Sequence, residues 1–130
     1  MATSAPTEIH PKLEVLDSLE AIYKKSKENP TKVIAVIFSR QFPDRGSLET
    51  RLVWWRHDFE KNNEVLFYKA VCARGDSKWK DALQIETLPT IVFFHHEKSL
   101  GRLDKLNEDK EDEKIVKTTI IDHCKKIVAK

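Results

Sequence analysis

Cysteine is scarce in this sequence, and the two cysteines stand far apart. Cys72 and Cys124 are separated by about fifty positions in a chain of 130 residues. That spacing fits neither a zinc site nor a paired redox site. In a reducing compartment we expect both side chains to be free thiols. The sequence therefore contains no cysteine motif for metal binding or for dithiol chemistry.

Long apolar runs and an excess of one charge are also missing. No apolar stretch approaches the roughly 20 residues of a membrane-spanning helix, and residues 1–7 lack the basic start and apolar centre of a signal peptide. The 23 basic and 21 acidic residues are mixed along the chain and leave a net charge of +2. Nucleic-acid binding needs a concentrated positive surface instead. We therefore expect a cytoplasmic protein that binds neither membrane nor nucleic acid.

The composition that remains is that of one folded domain. Hydrophobic residues make up 40% and charged residues 34% of the chain, with only three glycines, which is typical of a globular protein. The length suits one domain. We expect residues 1–7 to form a flexible N-terminus and residues 8–130 to form the domain. The start at Met1 argues against a domain cut from a longer protein, whereas the end at Lys130 leaves that possibility open.

Hydrophobic periodicity predicts strands that alternate with helices, in the order βαβαβαββα. The run at 33–38 is continuously apolar and indicates a strand covered on both faces, in the middle of a sheet. The last two strands are close enough in sequence to pair as a hairpin. This order predicts an α/β fold with a mixed sheet between helices. The predicted elements are an extended piece at 12–15, helices starting at 17, 47 and 76 and one covering 115–128, and strands at 33–38, 65–71, 90–94 and 100–103.

Helix ends and faces can also be predicted. Asp17 and Glu20 have the spacing of a capping box, which places the start of the first helix at Asp17. Ser47 is the expected N-cap of the second helix. The apolar stripe of the second helix contains Leu48, Leu52, Trp55 and Phe59, and that of the last helix contains Ile115, Val116, Thr119, Ile120, Cys124, Ile127 and Val128.

With these elements in place, residues 8–129 resemble the thioredoxin family. The most specific feature is Leu88-Pro89-Thr90 at the start of a strand, since thioredoxins have a cis-proline followed by threonine at this point. The resemblance implies that the Leu88–Pro89 peptide bond is cis. It also implies that the strands starting at Val33, Val65 and Thr90 are neighbours in one sheet.

The same resemblance locates the redox motif, and this chain departs from it. An apolar strand leads to Phe42, where the family has an aromatic residue just before Cys-x-x-Cys. The four motif positions become Pro43, Asp44, Arg45 and Gly46, with no cysteine among them. The family's buried acid, which assists proton transfer, falls on Ile37. Because two parts of the redox machinery are missing, the resemblance implies a redox-inactive protein without catalytic residues.

A thioredoxin-like chain without cysteines in its motif would still keep the groove that binds extended polypeptide. That groove would be formed by Phe42, Pro43, Asp44, Arg45, Leu88 and Pro89. The first hypothesis is a noncatalytic interaction or adaptor module that needs no cofactor and binds a protein or an extended peptide. The alternative is a divergent oxidoreductase that uses one thiol, either Cys72 or Cys124. Core packing is the expected role of both cysteines.

Histidine, tryptophan and arginine supply the other candidate residues. His95 and His96 are expected to point to opposite faces of a strand, and so not to share a metal ion. Trp55 lies on the apolar stripe, whereas Trp54 is turned away and is either an interface residue or packed against a neighbour. His57, Asp58 and His123 are expected to lie on solvated helix surfaces. The arginines near the motif are expected to form a solvated face whose charge nearby acids offset; the arginines are Arg40, Arg45, Arg51 and Arg56, and the acids are Asp44, Glu49 and Asp58. Residues 104–114 are expected to form a hydrated loop of unknown role.

Overall fold

A computed structural model describes residues 13–40, 48–73, 75, 77–104, 106 and 110–128. The elements, in chain order, are α1 (Leu19–Glu28), β1 (Val33–Ser39), α2 (Leu48–Asn62), β2 (Val65–Val71), α3 (Lys78–Leu83), β3 (Thr90–His95), β4 (Lys98–Leu103) and α4 (Lys110–Val128). No helix in the described ranges is long and apolar enough to cross a membrane. The expectations for residues 1–7 and for Ser47 lie outside the described residues.

The four strands form one mixed sheet in the order β2-β1-β3-β4. β1 runs parallel to β2, with Val33 beside Val65, and antiparallel to β3, with Phe38 opposite Thr90. All seven residues of β1 are buried, because this strand has a neighbour on each side and helices on each face. The predicted adjacency of the three strands and the predicted hairpin are therefore confirmed.

Side chains of β1 alternate between two apolar cores, as the pleat of a strand requires. Ala35 and Ile37 pack in the core that α2 and α4 cover. Ile34, Val36 and Phe38 pack in the core that α1 and α3 cover. Each fully buried aliphatic or aromatic side chain stabilises the fold by about 1.5–3 kcal/mol. The cores on both faces of the sheet therefore contribute to the stability of the domain.

The beginning of the chain differs from the prediction in two ways. Of the expected extended piece at 12–15, the described residues 13–15 contain a single parallel bridge, between Val15 and Lys69, rather than a strand. The N-cap of α1 is Ser18, whose hydroxyl accepts a hydrogen bond from the Ala21 amide at 3.0 Å. Asp17 is therefore one position too early, because a cap needs its acceptor three residues before the amide that it satisfies.

Smaller corrections concern the later helices. α3 begins at Lys78, two residues after the predicted start, and α4 already begins at Lys110, inside the predicted loop. On α4, Val116, Ile120 and Cys124 are buried, whereas Ile115 is 46% exposed. Buried residues four apart define the face, and a residue one position away is turned by about 100°.

Candidate functional site

The segment that leads into β3 is the first part of the candidate site. The Leu88–Pro89 peptide bond is cis, as expected. Pro89 is buried, whereas Leu88 keeps 37% of its surface exposed. Thr90 is fully buried, and its hydroxyl donates a hydrogen bond to the Thr87 carbonyl at 2.6 Å. The segment therefore has a fixed buried side and presents the Leu88 side chain to solvent.

The sheet register places this segment beside the end of β1. Phe38 pairs with Thr90, so the next residues, Ser39 and Pro89, lie at the same edge of the sheet. Arg40 follows and is exposed. The predicted groove residues Phe42, Pro43, Asp44 and Arg45 come next in sequence and lie outside the described residues. Of the six predicted groove residues, the structure therefore brings Leu88 and Pro89 to this edge.

A cavity of about 160 Å³ opens next to Leu88. Arg40 and Cys72 contribute to its wall from the ends of β1 and β2, and Trp79 and Ile85 contribute from α3 and the segment after it. The Trp79 ring packs edge-on against Phe38 with centroids 5.0 Å apart. This cavity was not predicted, because it is formed by residues from four separate parts of the chain.

The two cysteines lie at opposite ends of β2. The Cys72 amide donates to the Ser39 carbonyl at 2.8 Å, just after the strand. The Cys124 thiol donates to the carbonyl of Glu64 at 3.3 Å, just before it. Since a strand rises by about 3.3 Å per residue, more than about 20 Å separates them, and neither is in a disulfide. Cys124 is buried, and burial raises the pKa of its thiol; Cys72 is only half-buried.

A buried ion pair lies beneath the same edge and was missed by the sequence analysis. Lys69 on β2 donates to the Glu49 carboxylate on α2 at 2.7 Å, and both side chains are more than nine-tenths buried. The Ser39 hydroxyl donates to the other oxygen of Glu49. The prediction that Glu49 offsets surface arginines is therefore wrong. The one feature of the sequence that indicates a buried ion pair is Lys69, a charged residue within an otherwise apolar strand.

The neighbouring tryptophans of α2 have different surroundings. Trp54 is 62% exposed. Trp55 packs against Phe59 and Phe67, with ring centroids 5.4 and 5.6 Å away, and the Lys117 ammonium lies 4.6 Å from its ring centroid. The predicted outward turn of Trp54 is confirmed, and its role in an interface stays a prediction.

The arginines of α2 are paired rather than free on a solvated face. Arg51 pairs with Glu113 of α4 at 3.2 Å, and Arg56 pairs with Glu60 at 3.1 Å. Glu60 also accepts a hydrogen bond from the Phe67 amide at 2.9 Å, which ties α2 to the edge of β2. The solvated-face interpretation is therefore wrong for Arg56, while Arg40 is exposed and Arg45 lies outside the described residues.

Two expectations for histidine also need correction. His96 lies in the turn after β3, not on the strand, and its ring centroid is 4.0 Å from that of His95; the two rings therefore do not point to opposite faces. His123 is only partly exposed, because its ring packs on Phe93 at 5.1 Å, and burial lowers the pKa of its imidazole. His57 and Asp58 are exposed, as expected. Among the described residues, no three potential metal ligands cluster.

The chain was compared with family models, curated proteins and solved structures, and only the solved structures match it. No family model matches the chain, and no curated protein matches it significantly in sequence. A thioredoxin from Fasciola hepatica has a TM-score of 0.60 at 19% identity and covers 83% of this chain and 99% of its own length. A thioredoxin from Malassezia sympodialis has a TM-score of 0.61 at 17% identity and covers 85% of this chain and 94% of its own length. A mutant thioredoxin from Halobacterium salinarum has a TM-score of 0.61 at 13% identity and covers 92% of this chain and 93% of its own length.

These similarities show that the chain has the thioredoxin fold, as its resemblance implied. The candidate site lies at the edge of the sheet where β1 and β2 end and β3 begins. Cys72 lies at this site without a second cysteine beside it, because Cys124 lies near the opposite end of β2.

Proposed function

We propose that this protein is a redox-inactive, thioredoxin-like interaction module that binds an extended segment of another protein at the Leu88–Pro89 edge. The observation that carries the proposal is the exposed Leu88 side chain beside the 160 Å³ cavity. An exposed apolar side chain beside a concave surface gains free energy when a partner covers it, and the concavity gives a partner side chain a place to pack. The proposal includes a cytoplasmic location, because two separated thiols suit a reducing compartment.

The lack of paired thiols supports the noncatalytic part of this proposal. Thiol–disulfide exchange as thioredoxins perform it needs an accessible thiolate with a second thiol in reach. The motif positions are Pro43, Asp44, Arg45 and Gly46, and the two cysteines of the chain stand at opposite ends of β2.

Binding can be tested on an array of immobilised, extended twelve-residue peptides. We expect the wild-type chain to select a subset of peptides, and Leu88→Asp to lose that subset because a carboxylate replaces the apolar anchor. Ile115→Asp is the matched control, since Ile115 is also a partly exposed apolar residue but lies on α4. Equal selection by both variants would overturn the role of this edge.

The position of Cys72 supports a second candidate function, a single-thiol oxidoreductase. Its side chain lines the cavity next to Leu88 and is half-buried, unlike that of Cys124. Reduction of insulin in the presence of dithiothreitol tests this alternative. If the wild-type chain accelerates the reaction and Cys72→Ser abolishes the acceleration, the protein is an enzyme and the noncatalytic proposal is wrong.

A further inference from the structure

A second cavity lies at the other end of the sheet. It has a volume of about 490 Å³, within the range of about 300–1,000 Å³ that is usual for small-molecule sites. His95 in its wall ends β3, whereas Thr90 at the Leu88–Pro89 edge begins it. A strand of this length spans about 17 Å. The cavity is therefore separate from the proposed polypeptide site.

One part of the cavity wall is apolar. Pro30 comes from the turn before β1, Leu100 from β4 and Ile127 from the last turn of α4. Leu100 and Ile127 are only partly buried and pack on the core beneath. Their remaining surface can hold the hydrocarbon part of a ligand.

The rest of the wall is polar, and its charge has one sign. Thr31, His95, His96 and Lys98 complete the lining, and none of the described lining residues is acidic. His95 Nε2 lies 2.9 Å from the Pro30 carbonyl oxygen. Because a carbonyl oxygen only accepts, this nitrogen carries a hydrogen, and the contact fixes the ring. In a neutral imidazole the other nitrogen, here Nδ1, accepts, so His95 has no further hydrogen to donate. Lys98 and the His96 imidazole are therefore the groups available to an anion.

The turn that carries His96 has an unusual conformation for its sequence. His96 and Glu97 have φ of 51° and 61°, and two-residue hairpin turns with positive φ at both positions strongly favour Asn-Gly or Asp-Gly. Non-glycine residues in this region store strain, and such strain concentrates at functional sites. The Glu97 amide donates to the Ser26 hydroxyl at 3.0 Å, which holds the turn against α1. The turn thus holds the His96 side chain at the cavity in a backbone conformation that is uncommon for residues other than glycine.

We propose that this cavity binds a small organic anion. The anionic group lies at Lys98 and the His96 imidazole, and the apolar body of the ligand packs against Pro30, Leu100 and Ile127. Charge complementarity selects an anion, and the apolar wall selects a ligand larger than a bare inorganic ion. The inference does not depend on the proposed polypeptide binding.

Titration of the full, ¹⁵N-labelled chain with phenyl phosphate tests the proposal. We expect the amide signals of Thr31, His96 and Leu100 to shift in a saturable way. Phenol, which lacks the charge, and inorganic phosphate, which lacks the ring, should each bind about threefold to fivefold more weakly. Absence of binding, shifts confined to the Leu88–Pro89 edge, or equal affinity for phenol or inorganic phosphate would overturn the proposal.

Variants locate the anionic group. Lys98→Glu reverses an exposed charge at the cavity and should weaken phenyl phosphate binding by about threefold to fivefold, whereas Lys80→Glu, on α3, should not change it. His96→Asn suits the positive φ and should leave the melting temperature equal or higher while it weakens binding. If Lys98→Glu and His96→Asn both bind phenyl phosphate as the wild type does, the cavity is not an anion site.

Discussion

The Glu49–Lys69 pair shows how one buried charge depends on another. Lys69 lies beside Ile37 in the sheet register, and the resemblance to thioredoxins had placed a buried acid at Ile37. Here the carboxylate comes from α2 instead. A lysine in an apolar strand needs such a partner, because an unpaired buried charge is costly. The sequence indicates the lysine, since Lys69 interrupts an apolar run, but not its partner, because tertiary packing brings the two residues together.

Lys69→Met leaves Glu49 buried without its cation and should lower the free energy of unfolding by about 3–5 kcal/mol. Urea unfolding followed by circular dichroism measures this change. Lys25→Met is the control, because Lys25 pairs with the exposed Glu14 at 3.4 Å, and such surface pairs are worth at most about 1 kcal/mol. Equal losses in the two variants would contradict the structural role of the buried pair.

The thiols differ in accessibility, which predicts an order of reaction. In the native protein at mildly alkaline pH, Ellman's reagent should modify the half-buried Cys72 first. Cys124 should react only after denaturant is added, because its thiol is buried and burial raises its pKa, so that less thiolate is present. Modification counted by mass spectrometry in Cys72→Ser and Cys124→Ser checks the assignment. Rapid labelling of native Cys72→Ser would contradict it.

At the scale of elements, hydrophobic periodicity predicted which segments are helices and which are strands better than it predicted where each helix or strand begins and ends. β1 and β2 followed from their apolar runs, and the stripe of Leu48, Leu52, Trp55 and Phe59 does face the core. The errors arose where tertiary contacts decide. Residues 13–15 meet β2 at a single bridge. Ile115 is apolar like its neighbours in sequence but is turned outward on α4.

The two tryptophans of α2 give a direct test of which helix face is buried. Trp55→Ala removes a ring that packs on Phe59 and Phe67 and should cost about 2–4 kcal/mol, somewhat less than a fully buried tryptophan. Trp54→Ala should cost less than about 1 kcal/mol. Thermal and urea unfolding of both variants measure the difference. A larger loss for Trp54→Ala would mean that the exposed face is assigned wrongly.

At the scale of the whole molecule, the sheet separates two candidate sites. The Leu88–Pro89 edge and the hairpin end lie at opposite ends of β3. The Leu88–Pro89 edge was predictable, because Leu88-Pro89-Thr90 stands at the start of a predicted strand at the expected point in the order of elements. The second was not, because Pro30, His95 and Ile127 are far apart in sequence and meet only in the folded chain. The structure thus adds a cavity at each end of the sheet to a fold that the order of elements already implied.

The central claim is that this fold binds polypeptide at the Leu88–Pro89 edge without thiol chemistry. The most direct test is the affinity of one array-selected peptide for a chain that carries both Cys72→Ser and Cys124→Ser. We predict wild-type affinity for this cysteine-free chain, and a loss of at least about tenfold when Leu88→Asp is added. Loss of binding in the cysteine-free chain itself, or full binding after Leu88→Asp is added, would contradict the claim.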